Sequence, residues 1–366
     1  MPTFKKILDG IACGHTNRDI DHSTVFRVAR AVSQIGYSIV AIVFGAAHVV
    51  AAPLFDDGAV LDVTLTGPIG RLSDDKEDNS ELAFVLEAEG VRHQVDVRLR
   101  GQSRLRTCDF APLRLDFRTS ETAETIFAGQ NKLKLVTHCR HNDQGEQDLL
   151  EEYAAYRIFN VLTDASYRVR LLRINYADTG GQLNAKSVLR YGFLVEPGKQ
   201  QAGRIGATQV NLRGLPKRRH DVRSAALIYV FQYLIGNTDW GFVRADSDDS
   251  CCHNGDLYER DSRVLVVPYD FDLSGLVNAR YAFPDPVLRI DKVRQRLYRG
   301  LCTDREVLQT ALRKIKSNEA GILAVLRDTP GLSEKGLDNA TTYLKAFFEK
   351  AEDEKKLLRV FERDCL

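Results

Sequence analysis

Three short stretches carry the side chains best able to do chemistry. In Ile235-Gly236-Asn237-Thr238-Asp239-Trp240-Gly241 a carboxylate follows a strongly apolar run that reads as a helix closed by Gly236. Asp239 is therefore expected on a loop projected by a rigid element, where catalytic carboxylates are commonly carried. His253-Asn254 comes next, at the entry to a strand reading GDLYER. In Val266-Val267-Pro268-Tyr269-Asp270-Phe271-Asp272 an apolar strand runs out into two carboxylates. Hard oxygen donors at the end of a buried strand suit a magnesium ion and phosphate chemistry. Taken singly, each has a plainer role: Asp239 as a turn cap, Asn254 as a turn residue, Asp272 as an N-cap. Their order and spacing as a set weigh more than any one of them.

The elements that would position these groups are legible in the periodicity. From Ala59 the chain alternates apolar and polar as strands do, in AVLDVTLTG, ELAFVLEAEG, HQVDVRLRG, PLRLDFR and NKLKLV. An amphipathic helix follows over Asp148 to Leu162, and two more strands, YRVRLLRINY and RYGFLVEP, end at Glu196-Pro197. The acidic run from Asp74 to Glu81 lacks the ligand register of a calcium loop and reads as a solvated turn. Beyond Pro197 a polar, basic stretch leads into the helix SAALIYVFQYLIG. The Asp239 loop, two short strands and a helical tail from about Asp304 complete the chain. The pattern predicts an α+β protein with a β-rich part over 53–197, holding one main helix, and an α-rich part over 198–366. No internal repeat is visible.

Residues 1–52 differ in character. No Lys, Arg, Asp or Glu occurs between Arg30 and Asp56, and Arg27 and Arg30 precede an apolar core from Ile39 to Val50, followed by Ala51 and Ala52. Basic, apolar and small residues in that order predict a signal peptide or an N-terminal membrane anchor, with Val25 as a start that would give a leader of ordinary size. Of the 7 cysteines, Cys13 precedes this leader. The other six suit an oxidising compartment, so the chain is expected in the periplasm, the envelope or outside the cell. Their pairing is not readable from spacing, although adjacent Cys251 and Cys252 are expected to bond to different partners. The formal net charge of +1 gives no basis for nucleic-acid binding. Gly-x-Ser-x-Gly and His-Glu-x-x-His are both missing, which removes support for a hydrolase nucleophile elbow or a zinc protease.

A strand-rich part, a Glu-bearing helix, a strand ending in a hinge, then helix, Asp loop, Asn and apolar strand with Asp is also the order of parts in protein kinases. The phrase IGNTDW resembles the GN-x-D stretch of HipA-type toxin kinases. RGQSR, PLRLDF, FLVEP and PYDFDL together resemble the spore-coat-protein (CotH-type) kinase family, over about Asp96 to Asn278. The resemblance implies a two-lobed protein-kinase-like fold that binds ATP and Mg²⁺. It casts Asp239 as the residue that orients or deprotonates an acceptor hydroxyl, and Asn254 and Asp270 as metal ligands, with Asp272 as a further ligand or a helix cap. The phosphate-gripping lysine would be Lys134 or Lys132, with Lys134 preferred. These two share one face of their strand, so alternation does not separate them. Its helix partner would be Glu152, with Glu151 as the alternative, and backbone groups around Glu196 would meet adenine.

There are departures from the kinase pattern. No Gly-x-Gly-x-x-Gly loop exists, and only Gly101 and Ser103 of RGQSR stand in for it. Asn254 follows Asp239 by 15 residues, His-Arg-Asp is missing, and Asp272 stands where Asp-Phe-Gly has its glycine. The expected activity is phosphoryl transfer from Mg·ATP to a hydroxyl on a protein or small molecule. AMP transfer, or a catalytically inactive envelope scaffold, is the alternative.

Overall fold

A computed structural model of the chain describes residues 53–74, 76, 80–101, 103–118, 121–181, 187–242 and 251–366. The leader expected over 1–52, and Cys13 with it, lies outside these residues. Among the described residues no helix is long and apolar enough to cross a membrane.

The first half holds β1 (Leu61–Gly67), α1 (Ile69–Asp74), β2 (Leu82–Ala88), β3 (Val91–Leu99), α2 (Ser103–Thr107), β4 (Leu113–Phe117), β5 (Lys132–Val136), α3 (Asp143–Leu162), β6 (Val169–Asp178) and β7 (Ser187–Val195). The seven strands close into a barrel in the order β1-β2-β3-β4-β5-β7-β6. Alternation decides which side chains fill it: Leu61, Val63 and Leu65 of β1, Val95, Val97 and Leu99 of β3, and Leu113, Leu115 and Phe117 of β4 all point inward. Each such side chain contributes roughly 1.5–3 kcal/mol on burial. Closure comes from β6, which returns to lie parallel to β1 from Leu61↔Leu172 to Gly67↔Asp178. Closing the ring leaves no strand edge unpaired. The sequence predicted the strands but not the closed barrel, because the pairing joins segments more than a hundred residues apart and periodicity reports only local order.

The second half holds α4 (Gly198–Arg204), β8 (Thr208–Val210), α5 (Val222–Ile235), β9 (Gly255–Arg260), β10 (Arg263–Pro268), α6 (Arg305–Ser317), α7 (Glu319–Arg327), α8 (Glu334–Glu352) and α9 (Glu354–Asp364). Strands β10, β9 and β8 form a small antiparallel sheet. Helix α5 is buried from Ala225 to Ile235 and packs against α6, α8 and β10. Helix α3 is the shared element. One apolar core joins Leu150, Ala154 and Ile158 of α3 to Val169 and Leu171 of β6, Phe193 of β7 and most of α5. An aromatic chain runs through it, with ring centroids 4.5 Å apart for Phe159–Phe231, 5.5 Å for Phe231–Phe271 and 4.7 Å for Tyr156–Phe271. The Asp270–Asp272 segment is thereby anchored to both helices.

The disulfides correct one expectation. Cys108 bonds to Cys139 and Cys302 to Cys365, which leaves Cys251 and Cys252 bonded to each other. The other four thiols pair within their own regions, so neither adjacent cysteine has another partner among the described residues. Three disulfides are consistent with an oxidising environment.

Two features of this architecture give measurable consequences. Gly236 ends α5 in the left-handed conformation at φ 64°, with its carbonyl receiving the Gly275 N–H at 3.0 Å. A Cβ there would run into the Tyr343 hydroxyl. Left-handed backbone costs a non-glycine residue roughly 1–2 kcal/mol, and overpacking adds to it. Gly236→Ala should therefore lower unfolding stability by on the order of 2 kcal/mol in a urea titration. His138 is buried beside Phe110 and Tyr176, its Nδ1 unpartnered. Burial, helped by nearby His141 and Arg190, pushes its pKa down to about 3. Below the ordinary histidine value the unfolded chain takes up a proton that the folded one refuses, so stability falls from about pH 6.5 towards pH 3. His138→Gln should flatten that part of the stability-against-pH curve.

Candidate active site

Helix α3 begins where the Asn142 side chain accepts from the Gly145 N–H at 2.8 Å, and its length carries Glu152 into the interior, 2 % exposed. Glu151, one residue earlier, is turned towards Asp148 and Arg294, and burial pushes its pKa up to about 9. From the other direction, Val264 to Val267 bury β10 in the core and Pro268 ends it. Asp270 then adopts φ 62°, and its N–H donates to the Tyr156 hydroxyl at 2.8 Å. With Phe271 fully buried between them, Asp270 and Asp272 meet Glu152. Oxygens of the three carboxylates lie within 4.8 Å of one another.

A cation already stands among them. Arg104, on the short helix α2, places Nη2 at 3.1 and 3.2 Å from the two Glu152 oxygens, 2.6 Å from Asp270 and 2.9 Å from Asp272. Arg104, Glu152 and Asp272 are buried, while Asp270 is 41 % exposed at its side chain. One guanidinium cannot neutralise three carboxylates in a low dielectric. Burial accordingly pushes Glu152 up to about 8 and Asp272 up to about 6, against the pull of Arg104. Burial acts to lower the Arg104 pKa, but the three carboxylates together overcome it and hold the guanidinium firmly protonated.

A second polar group sits around Asp239. Its Oδ1 is 2.8 Å from His253 Nε2. Asn254 Nδ2 donates to Asp239 Oδ2 at 2.9 Å and to its carbonyl at 2.8 Å. Reciprocal backbone bonds between Gly241 and His253, at 3.2 and 3.0 Å, hold these two parts of the chain side by side. The long spacing between Asp239 and Asn254 is thus bridged directly. Trp240 donates Nε1–H to the Asn237 carbonyl at 3.0 Å and stacks on Tyr229, which fixes the loop from below. Tyr269 N–H donates to the Asn254 carbonyl at 3.1 Å, so the Asp239 group and the Asp270 group are joined through consecutive residues. A cavity of about 410 Å³ lies on the Tyr269 side, lined by Gln209, Asn211, Cys251, Cys252 and Asp256. Another of about 380 Å³ is lined by Asp239, His253, Phe283, Leu288 and Arg299. Both fall in the size range of small-molecule sites.

The residues singled out in the sequence are distributed unevenly. Asp270, Asp272 and Glu152 come together. Asp239 and Asn254 bind each other, and the Asn254 amide is directed to Asp239 rather than to the three carboxylates. Lys134 stands 5.4 Å from the Tyr269 ring centroid. It is accessible to solvent, yet protein crowds its ammonium enough for desolvation to lower its pKa, against the attraction of Asp256 and Asp270. Lys132 instead ion-pairs with Asp116 at 3.4 Å across the β4–β5 ladder. The Glu196 side chain is held by Arg204 at 3.0 and 2.7 Å and by the Arg168 N–H at 3.1 Å, while its own N–H donates to the Arg168 carbonyl at 2.9 Å.

The expected Lys134–Glu152 pair does not form, because Arg104 takes the Glu152 carboxylate. Sequence reasoning missed Arg104 although it lies within RGQSR, where only the glycine and serine drew attention. The signal was an arginine at each end of that motif, and the Asp270 charge acts on Arg100 as well as on Arg104.

Removing the Tyr156 hydroxyl would leave the Asp270 N–H without its acceptor. Loss of such a part-buried hydrogen bond costs roughly 0.5–1.5 kcal/mol. Tyr156→Phe should destabilise the protein by about that amount in a denaturant titration.

No family model matches this chain, and no curated protein matches it. Among solved structures it is similar to a Helicobacter pylori proinflammatory kinase, CtkA, at 11 % sequence identity. The alignment covers 77 % of this chain and 90 % of that one, with a TM-score of 0.34. A likeness of that size assigns no activity to this chain.

Proposed function

We propose that the protein is a kinase-like phosphotransferase that binds Mg·ATP and moves the γ-phosphoryl group to a hydroxyl on a protein or small molecule. The observation that carries this reading is the hydrogen-bonded run from Asp239 through Asn254 to Tyr269-Asp270. It sets a solvent-reaching carboxylate beside a group of three further carboxylates. Three hard oxygen donors fit Mg²⁺, and a cation, the Arg104 guanidinium, already occupies their centre. Glu152, Asp270 and Asp272 would hold the metal, and Mg²⁺ with ATP would supply the activated phosphoryl group and neutralise its charge. Lys134, over the Tyr269 ring, would add positive charge for phosphates. The cavity bounded by Tyr269, Asp256 and Cys252 would receive the nucleoside end.

Asp239 would orient the acceptor. Its carboxylate receives one bond from Asn254 and lies against His253, and a carboxylate offers about four acceptor positions. A hydroxyl entering the cavity beside it can therefore donate to Asp239, which is placed to take its proton. Asn254 and His253 act by fixing the orientation of that carboxylate. The work would be done outside the cytoplasm, in the periplasm, envelope or medium, as the disulfides and the leader pattern favour. The membrane enters only through the N-terminal segment, and nucleic acid has no part.

One observation favours a second reading, that of an inactive envelope scaffold built on the same parts. Arg104 already fills the three-carboxylate group, as it would in a protein that no longer needs metal.

Thermal unfolding of the full chain with and without Mg·ATP separates the two. A native-state ligand at 100 times its dissociation constant adds about 2.7 kcal/mol, a rise of several degrees. That rise should require Mg²⁺ and vanish in Asp270→Ala. Asp239→Asn should keep it while slowing phosphoryl transfer by roughly 10²–10⁴-fold. No rise in the parent would leave the scaffold standing.

A further inference from the structure

We propose that Arg104 and a divalent metal are alternative occupants of one cation site. The inference shares the metal of the proposed function but not its nucleotide. The exchange itself follows from the packing of charge around Arg104.

Glu152 and Asp272 are 2 % and 4 % exposed, and their carboxylates face the same few ångströms as that of Asp270. Carboxyl groups so deeply placed ionise together only beside a counter-cation, because desolvation cost is otherwise uncompensated. In this structure a single nitrogen, Arg104 Nη2, serves all three at 2.6–3.2 Å. A magnesium ion shared by these carboxylates would need the same oxygens that Nη2 now holds. The two cations exclude each other on steric and electrostatic grounds.

The guanidinium has somewhere to go. Arg104 stands on a five-residue helix, α2, just after Gly101, whose φ of 92° makes a sharp bend between β3 and that helix. Arg100 precedes that bend and Lys134 rests over Tyr269, the chain neighbour of Asp270. A metal taking the carboxylates would displace the guanidinium from them and leave its hydrogen-bonding fork free. The same exchange explains why Glu152 is paired with Arg104 while Lys134 rests over Tyr269.

The test uses Mn²⁺ alone, with no nucleotide, on the full chain, with binding followed by the electron paramagnetic resonance signal of free Mn²⁺. Arg104→Gln removes the competitor and should bind Mn²⁺ at least tenfold more tightly than the parent. Arg104→Lys, whose ammonium reaches fewer of the carboxylates, should fall between the two. The gain should disappear in Arg104→Gln combined with Asp272→Asn. Mn²⁺ should also raise the unfolding midpoint of Arg104→Gln more than that of the parent. Equal or weaker Mn²⁺ binding in Arg104→Gln, or a gain that survives Asp272→Asn, would overturn the exchange. If Arg104→Gln does not fold with or without Mn²⁺, Arg104→Lys decides: a gain of about threefold or more supports the exchange, and parent-like affinity rejects it. These outcomes need no ATP, so failure of the Mg·ATP experiment would sink the enzyme reading and leave this result standing.

Discussion

The packing of three carboxyl groups, two of them buried, around one guanidinium is the constraint around which this protein is organised. Glu152 comes from the middle of α3, Asp270 and Asp272 from the end of β10, and Arg104 from the segment between β3 and β4. Nothing local brings these residues together. Their meeting requires the barrel, the shared helix and the small sheet to be in register at once. An interior that leaves three carboxylates against one guanidinium is balanced only while every part stays in place. The aromatic contacts of Tyr156, Phe159, Phe231 and Phe271 supply the rigidity, since they pin the aspartate segment to both helices.

The barrel serves this arrangement at a distance. Its closure by β1 and β6 fixes where β6 and β7 present their outer faces, and those faces form the floor on which α3 lies. Strand β5 belongs to the same barrel and turns Lys134 outward over Tyr269 by the alternation that buries Leu133 and Leu135. Lys132, two residues earlier on the same face, is drawn to Asp116 instead. The two lysines are equivalent in pattern and are separated only by what stands opposite each.

The Asp239 loop follows a different logic. Burial of Asn237, Trp240 and Phe242 anchors it, and hydrogen bonds orient the half-exposed Asp239 carboxylate. The Asn237 carboxamide oxygen accepts from the Asp239 N–H at 3.0 Å, its carbonyl accepts from Trp240, and Asn254 clasps Asp239 from across the Gly241–His253 bridge. Such a loop keeps a carboxylate accessible while restricting its orientation, which is what an acceptor-binding residue requires.

The strands over 61–136, helix α3, the buried helix α5 with its glycine stop, and the aspartates after β10 were all legible in the sequence. Each is announced by a period of two or 3.6 or by a terminator beside it, and these signals are local. The same locality limited the reading. The closed barrel depends on a parallel pairing between distant strands. The Cys251–Cys252 bond depends on the remaining cysteines having found partners elsewhere. Arg104 was hidden because an arginine in a short loop motif looks like any solvated arginine until its surroundings are known. The residue types capable of chemistry are written in the sequence. Which carboxylates share one cation, and which cation that is, was decided by tertiary structure, because electrostatic partnership depends on distance and burial, and a linear chain specifies neither.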